Sequence, residues 1–151
     1  MPQTRIIIAG AGPVGVVSAL ALAQHGYAVT LLEAEAVIDD NPRAATTHPS
    51  TLEMIARVGL IDQFINEGLV ARYFQFWDKP SRTKIVQFDH ELLRDETPYP
   101  FVIQTEQHKL ARIAIERLNN FADVDVRFST RVTGVTQDAE GATVTAEGPN
   151  G

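Results

Sequence analysis

Three glycines near the start of the chain have the spacing of a turn that binds phosphate groups. The apolar run Ile6–Ala9 leads directly into Gly10, Gly12 and Gly15, the pattern G-x-G-x-x-G. In such a turn the first glycine permits a tight exit from a strand, and the second, lacking Cβ, lets a pyrophosphate approach the backbone. The third glycine lets the following helix pack close to the sheet. The phosphates then lie at the positive end of that helix, facing unpaired N–H groups.

The segments around these glycines complete a strand–helix–strand unit. Val16, Ala19 and Leu22 recur at helical spacing after the third glycine. The segment Ala28–Leu32 then has the nearly continuous apolar character of a strand that is buried on both faces. Glu33 ends this strand, eighteen residues after the third glycine. The order of these features predicts a dinucleotide-binding unit rather than an isolated glycine-rich turn.

The acidic residue at the end of the second strand bears on which dinucleotide is bound. A carboxylate at Glu33 can accept hydrogen bonds from both ribose hydroxyls of an adenosine, and it would repel a 2′-phosphate. The unit therefore favours FAD or NAD and disfavours NADP. The alternative is a glycine-rich turn in another kind of α/β protein, with Glu33 a solvated acid at a strand end.

The composition is that of an ordinary soluble globular protein and excludes several classes of function. The chain has 151 residues, 44% of them hydrophobic and 21% charged, and a net charge of −6 without a basic patch, so nucleic acid is not an expected partner. It has no cysteine, which excludes disulfides, thiolate metal sites and redox-active cysteine pairs. No metal site is expected. The apolar stretch Val14–Ala23 is too short to cross a bilayer, so we expect a cytoplasmic protein that does not enter a membrane.

The remaining elements follow from periodicity and turn signals. A loop is predicted over Ala34–Thr47, and helices are predicted from Pro49, over Leu60–Glu67 and after Thr105. Ser50 with Glu53 has the spacing of a capping box, and Thr105 is expected to cap the third of these helices. The predicted strands are Arg72–Trp77, Lys84–Phe88, Val124–Phe128, Arg131–Gln137 and Ala142–Ala146.

The last residues predict a hairpin turn without its second strand. Glu147–Gly151 ends in Asn-Gly, a strong hairpin signal. We therefore expect the chain to be a fragment of a longer protein. A frayed natural terminus is the alternative.

The loop after Glu33 resembles a segment of a known enzyme family. The sequence from Arg43 to Glu53, R-A-A-T-T-H-P-S-T-L-E, is similar to the loop of FAD-dependent aromatic hydroxylases, the family of para-hydroxybenzoate and phenol hydroxylases. The segment Val102–Gln104 before a long helix and a three-stranded meander beginning at Arg131 also resemble that family. The resemblance extends over the whole chain in order.

This resemblance implies a set of residues that bind FAD. Glu33 would lie at the adenosine ribose, Arg43 along the phosphates and ribityl chain, and Gln104 at the same middle region. Val132 would touch the adenine through its backbone. The complete set implied is Gly10, Gly12, Pro13, Val14, Gly15, Glu33, Ala34, Arg43, Gln104 and Val132.

The resemblance also implies the fold and the reaction. The fold would be α/β, a Rossmann-type FAD-binding domain with a β-meander and the start of a mixed-sheet substrate domain. Residues 1–70 and 101–151 would belong to the FAD-binding domain and residues 71–100 to the substrate domain. The whole enzyme would be a monooxygenase that uses NAD(P)H and O₂ on an aromatic or related small molecule. Its flavin-ring contacts and catalytic residues would lie beyond Gly151.

Several residues have two possible roles. His48 is a candidate for a place near the flavin or substrate, or it orders the loop before Pro49. Arg43 either contacts the cofactor or pairs with Asp39 or Asp40 in an exposed loop. The aromatic run Tyr73–Trp77 forms either the floor of a substrate pocket or a packed sheet face, and His90 and His108 are expected at the surface.

The same motifs are compatible with two other functions. A different flavin enzyme on the same scaffold, such as an epoxidase, halogenase or reductase, would share these motifs. So would a nucleotide-binding module without catalysis. The sequence identifies neither the substrate nor the oligomeric state.

Overall fold

The structure is a computed structural model, and it describes residues 5–41 and 43–149. Its helices are α1 (Pro13–Gln24), α2 (Pro49–Arg57), α3 (Ile61–Asn66) and α4 (Gln107–Leu118). Its strands are β1 (Arg5–Ala9), β2 (Ala28–Leu32), β3 (Thr46–Thr47), β4 (Leu69–Ala71), β5 (Tyr73–Asp78), β6 (Thr83–Asp89), β7 (Val102–Gln104), β8 (Val124–Arg127), β9 (Arg131–Gln137) and β10 (Ala142–Glu147). A short 3₁₀ helix spans His90–Leu93. The chain divides into two compact units, Met1–Asn41 with Leu110–Gly151, and Pro42–Lys109.

The first unit contains a parallel sheet in the order β1-β2-β8. All five residues of the central strand β2 are buried, which confirms the prediction of a strand covered on both faces. Val16, Ala19 and Leu20 of α1 are also fully buried. β1 and β2 are parallel and are connected through α1, so the carboxyl ends of both strands lie at the same edge of the sheet. The α/β, Rossmann-type fold class is therefore confirmed.

The first unit also contains an antiparallel ribbon formed by β9 and β10. Its connection is fixed by Asp138, whose Oδ1 accepts hydrogen bonds from the backbone N–H groups of Glu140 and Gly141. In the described part of the chain this ribbon supplies two strands of the predicted meander. The predicted turn Glu147–Gly151 includes Asn150 and Gly151, which lie outside the described residues.

The second unit contains a three-stranded antiparallel sheet and a separate hairpin. The sheet has the order β3-β7-β4, with the buried strand β7 in the centre. Leu52 and Ile55 of α2 and Phe64 of α3 are fully buried. The hairpin pairs β5 with β6, and its turn is held by Asp78, whose Oδ2 accepts a hydrogen bond from the Ser81 backbone N–H at 2.9 Å.

Two predicted helix caps are wrong, and the two histidines predicted at the surface, His90 and His108, are each half-buried. The N-cap of α2 is His48, so Ser50 lies within the first turn and the predicted capping box does not form. Helix α4 begins at Gln107, and the Thr105 hydroxyl instead donates to the Glu67 carbonyl at 3.2 Å, because tertiary packing offers it this acceptor. His108 is half-buried, and its Nδ1 is enclosed without a hydrogen-bond partner among the described residues.

Candidate functional site

The turn between β1 and α1 depends on glycine at two positions. Gly10 has a φ of +99°, a left-handed conformation that L side chains rarely adopt, and its N–H donates to the Leu32 carbonyl at 2.7 Å. A Cβ at Gly15 would lie 2.0 Å from the Gly10 carbonyl oxygen, so α1 packs onto the turn only with glycine there. The sequence-based roles of these two glycines, tight turn and close helix packing, therefore agree with the geometry.

Gly12 differs from its neighbours because the space beside it is open. Its backbone is extended, with φ −68° and ψ 176°, and a Cβ placed there would meet no atom within 4 Å. Nothing in the protein fold itself therefore requires glycine at this position. Open space against the backbone is what a pyrophosphate needs at the second glycine of such a turn.

The start of α1 provides the donors for an anion. Gly12 is the N-cap, Pro13 occupies the first turn, and the helix has no acidic residue in that turn. The first N–H groups of an α-helix have no partner within the helix, and the helix dipole is positive at this end. The Val14 side chain beside them is 81% exposed. The turn and the helix start together form a cradle suited to phosphate groups.

The Glu33 carboxylate is held against the glycine turn. Its Oε2 accepts a hydrogen bond from the Ala11 backbone N–H at 2.7 Å, and its Oε1 accepts one from the Glu35 N–H at 3.0 Å. Each carboxylate oxygen has capacity for further hydrogen bonds, so two ribose hydroxyls can still be accepted. The half-buried Ala34 lies between these two acids in the chain. Sequence reasoning missed the contact with Ala11, although both residues follow adjacent parallel strands.

The beginning of β9 is attached to the same edge of the sheet. The backbone N–H of Thr130 donates to the Glu33 carbonyl at 2.7 Å, and that of Ser129 donates to the Glu35 carbonyl at 2.9 Å. Arg131 adds an ion pair to Glu35, with 3.3 Å between Nη2 and Oε1. Ser129 has a φ of +51°, which marks this connection as conformationally unusual. Sequence reasoning did not single out Ser129 or Glu35, because neither carries a motif.

Val132 follows this attached connection directly in the sequence. It is half-buried, lies two residues after Thr130 and pairs with Ala146 in the ribbon. The first unit thus brings together the glycine turn, Glu33 with Ala34, and the connection that leads to Val132.

Arg43 and Gln104 belong to the second unit. Arg43 is exposed. Gln104 is the last residue of β7, and its Oε1 accepts a hydrogen bond from the Thr46 hydroxyl at 2.9 Å. This bond links Gln104 to β3, in the loop that carries the hydroxylase-like segment. The carboxylate of Asp40, one of the two acids considered as a partner for Arg43, lies 3.8 Å from Arg112 in the first unit.

The aromatic run of β5 is exposed in this structure. Tyr73, Phe74, Phe76 and Trp77 are each 44–55% accessible to solvent. Phe74 contacts Phe76 edge-to-face, with ring centroids 5.0 Å apart, and lies 6.2 Å from Phe88 on β6. These rings form an aromatic surface within the second unit.

Residues 5–41 and 43–149 contain neither a candidate metal centre nor a candidate membrane-spanning helix. Within these ranges no group of three or more histidine, aspartate or glutamate side chains could hold a metal ion. None of the helices described there is both long enough and apolar enough to span a membrane.

The chain matches a known family over almost its whole length. The family model described as "FAD binding domain" matches residues 3–150. The chain is 38% identical over 130 residues to 6-hydroxy-3-succinoylpyridine 3-monooxygenase of Pseudomonas putida, covering 86% of this chain and 33% of that protein. It is 28% identical over 146 residues to para-nitrophenol 4-monooxygenase of a Pseudomonas species, covering 97% of this chain and 36% of the relative.

Solved structures share the same fold. The p-nitrophenol 4-monooxygenase of Pseudomonas putida DLL-E4 matches with a TM-score of 0.91 and 28% identity, over 97% of this chain and 38% of the other. An aklavinone-11 hydroxylase solved with FAD and aklavinone matches with a TM-score of 0.84 at 22% identity, over 99% of this chain and 30% of that one. The chain thus spans about a third of the length of the proteins it matches. It belongs to the FAD-binding-domain family, whose relatives are aromatic hydroxylases and monooxygenases, and its cofactor is FAD.

Proposed function

We propose that the full-length protein is an FAD-dependent monooxygenase that hydroxylates an aromatic or related small molecule with NAD(P)H and O₂. The observation that carries this proposal is the joint geometry of the first unit. The turn leaves open space at Gly12, and the Glu33 carboxylate is fixed beside that turn by the Ala11 N–H. This arrangement suits a dinucleotide with a free adenosine ribose.

Different residues of this chain would bind different parts of FAD. The turn Gly10–Gly15 and the first N–H groups of α1 would hold the phosphates, and Glu33 with Ala34 would hold the ribose. The backbone at Val132 would contact the adenine. Arg43 and Gln104 would bind the middle of the cofactor. Domain boundaries at residues 70 and 101 remain a prediction.

Bound FAD would supply the redox chemistry, accepting electrons from NAD(P)H and activating O₂. The protein would contribute position, exclusion of water and electrostatics. The chain's own contribution in the first unit is an anion cradle whose shape is set by hydrogen bonds within the protein, from the Gly10 N–H to the Leu32 carbonyl and from the Ala11 N–H to the Glu33 carboxylate. Preformed donors need no reorganisation when the cofactor binds.

The proposed substrate class is a ring that bears a hydroxyl group. Among the relatives, 6-hydroxy-3-succinoylpyridine 3-monooxygenase and para-nitrophenol 4-monooxygenase are named for hydroxylated rings. The aromatic surface of Phe74, Phe76 and Phe88 offers ring faces of the kind that stack on such molecules. A cytoplasmic location, with neither membrane nor nucleic acid as a partner, remains a prediction.

The visible spectrum of the purified full-length protein is the first test. We expect the absorption of bound FAD, and we expect NAD(P)H consumption that rises when a hydroxylated aromatic is added. A colourless protein that does not take up FAD would contradict the proposal. Bound flavin without aromatic-dependent NAD(P)H consumption would favour an epoxidase, halogenase or reductase on this scaffold. Bound flavin that NAD(P)H cannot reduce would favour a nucleotide-binding module.

A further inference from the structure

The connection between β8 and β9 is bonded to the residues that follow β2. The Thr130 N–H donates to the Glu33 carbonyl at 2.7 Å, and the Ser129 N–H donates to the Glu35 carbonyl at 2.9 Å. Both bonds lie just beyond the paired ends of the parallel strands β2 and β8. Ser129 has a φ of +51°, and a positive φ in a residue other than glycine is uncommon and recurs where a ligand is clamped. This connection therefore combines an unusual backbone conformation with a fixed place at the edge of the sheet where dinucleotides bind.

The Glu33 carboxylate is anchored through both of its oxygens. Its Oε2 accepts a hydrogen bond from the Ala11 N–H at 2.7 Å, and its Oε1 accepts one from the Glu35 N–H at 3.0 Å. The terminal torsion of a glutamate side chain is soft, so a carboxylate held through one oxygen alone can still rotate about that torsion. With an anchor on each oxygen, the plane of the carboxylate and the direction of its remaining lone pairs are both set.

Arg131 supports the second of these anchors. Its Nη2 lies 3.3 Å from Oε1 of Glu35, the residue whose N–H donates to Glu33. This ion pair ties the Glu35 side chain to the first residue of β9. The two side chains are 62% and 65% exposed, and an exposed ion pair contributes little to the stability of a fold. The loss of the pair should therefore act on the orientation of Glu33 rather than on folding.

We propose that Arg131 is a positioning residue for the adenosine of FAD. Through Glu35 it holds the Glu33 carboxylate in the orientation that accepts the ribose hydroxyls. The path has three contacts: the Arg131 guanidinium with the Glu35 carboxylate, the Glu35 N–H with the Glu33 carboxylate, and that carboxylate with the ribose. This inference rests on the part of the proposed function that places the ribose at Glu33, and it does not depend on the reaction that follows.

The consequence of this arrangement is specificity for the ribose hydroxyls. Hydrogen bonds weaken steeply as their geometry departs from linear, so a carboxylate of fixed orientation binds a hydroxyl better than one that rotates. Arg131 therefore raises the affinity for a ligand that has the hydroxyl and leaves the affinity for a ligand without it unchanged. A residue that only stabilised the fold would alter both affinities alike.

The test titrates the full-length protein, stripped of flavin, with FAD and with an FAD analogue whose adenosine lacks the 2′-hydroxyl. We expect the wild type to bind FAD at least about tenfold more tightly than the analogue, the size of a hydrogen bond to a charged group. In Arg131→Met this ratio of affinities should fall by about two- to fivefold, the size of an exposed ion pair. The dissociation constant of the analogue should stay within about twofold of its wild-type value.

Two further variants isolate the ion pair. Arg131→Lys keeps a cation opposite Glu35 and should restore most of the ratio. Arg127→Met is the matched control, because it removes another exposed arginine of the first unit, one that pairs with Asp125 at 2.5 Å. This control should leave the ratio at its wild-type value. Should Arg131→Met fail to fold, Glu35→Gln removes the charge from the other side of the same pair and carries the same expectation.

The outcomes separate this inference from the proposed function. A lowered ratio in Arg131→Met or Glu35→Gln, with Arg127→Met at the wild-type value, supports the positioning role. An unchanged ratio overturns it, as does an equal loss of affinity for both ligands. Wild-type protein that binds FAD and the analogue equally well also overturns it. In each of those cases the protein still binds FAD, whereas failure of the proposed function would show as absence of FAD binding or of aromatic-dependent NAD(P)H consumption.

Discussion

The glycine turn of the first unit and the β5–β6 hairpin of the second unit position functional atoms by different means. In the turn, backbone atoms set the geometry. Gly10 adopts a left-handed conformation, its N–H donates to the Leu32 carbonyl, and α1 packs onto its carbonyl group. In the hairpin, side chains hold the end of the strands, chiefly the Arg72–Asp89 pair. The turn borders a strand whose residues are all buried, whereas the aromatic residues of the hairpin are exposed.

Because of this difference, the two regions should tolerate amino-acid substitutions to different extents. The geometry of the turn depends on backbone conformations and close contacts that only glycine allows. One added methyl group can therefore reduce both the stability of the fold and the binding of the cofactor. A region built from exposed side-chain pairs loses little stability when one pair is removed. Substitutions at four positions sharpen this contrast, in order of decreasing effect.

Gly15→Ala should have the largest effect. The new Cβ would lie 2.0 Å from the Gly10 carbonyl oxygen, and because that atom belongs to the backbone it can move only with the turn. We expect a loss of about 1–3 kcal/mol or more in the free energy of unfolding, together with loss of FAD. Chemical denaturation of the full-length protein measures the first and flavin content the second. Wild-type stability would show that helix packing does not need this glycine.

Gly12→Val should abolish FAD binding with little change in folding. The space next to Gly12 is open for 4 Å, so the valine side chain fits the protein but occupies the place of the pyrophosphate. Its contrast with Gly15→Ala separates a glycine needed for the ligand from one needed for the fold. Flavin stoichiometry near that of the wild type in the purified variant would contradict the assignment.

Arg43→Ala should weaken FAD binding by about 1.5–3 kcal/mol, the range for a charge-assisted hydrogen bond. The side chain is exposed in this structure, so the stability of the protein should hardly change. Titration of the apo-protein with FAD gives the dissociation constant, and Arg57→Ala, another exposed arginine of the second unit, serves as the control. Equal affinity in both variants would assign Arg43 to the exposed loop alone.

Asp89→Asn should have the smallest effect, visible mainly as a change in acid sensitivity. The hydrogen bonds from Arg72 lower the pKa of Asp89, so this pair stabilises the fold above the ordinary aspartate pKa of about 4 and the stabilisation is lost as pH falls below it. The melting temperature of the variant should therefore fall less than that of the wild type between neutral and acid pH. Parallel acid profiles for the two proteins would show that the pair contributes nothing to stability.

Most elements of the first unit could be predicted from the sequence. The apolar run before Gly10, the spacing to Gly15 and the acid at Glu33 predicted the strand, the turn, α1 and β2, and the structure confirms these elements. This was possible because the features are local: glycine conformation, helical periodicity and buried-strand composition act over a few residues. The strands of the hairpin and of the β9–β10 ribbon were predictable for the same reason.

The contacts between distant residues could not be predicted from the sequence. The contact of Glu33 with Ala11, the diversion of Thr105 to the Glu67 carbonyl and the facing rings of His48 and His90 join residues 22 to 42 positions apart. Capping rules failed at Ser50 and Thr105 because they rank local partners, while packing supplied other helix starts and another acceptor. Hydrogen bonds between distant segments depend on how sheets and helices pack, and no short sequence window contains that information.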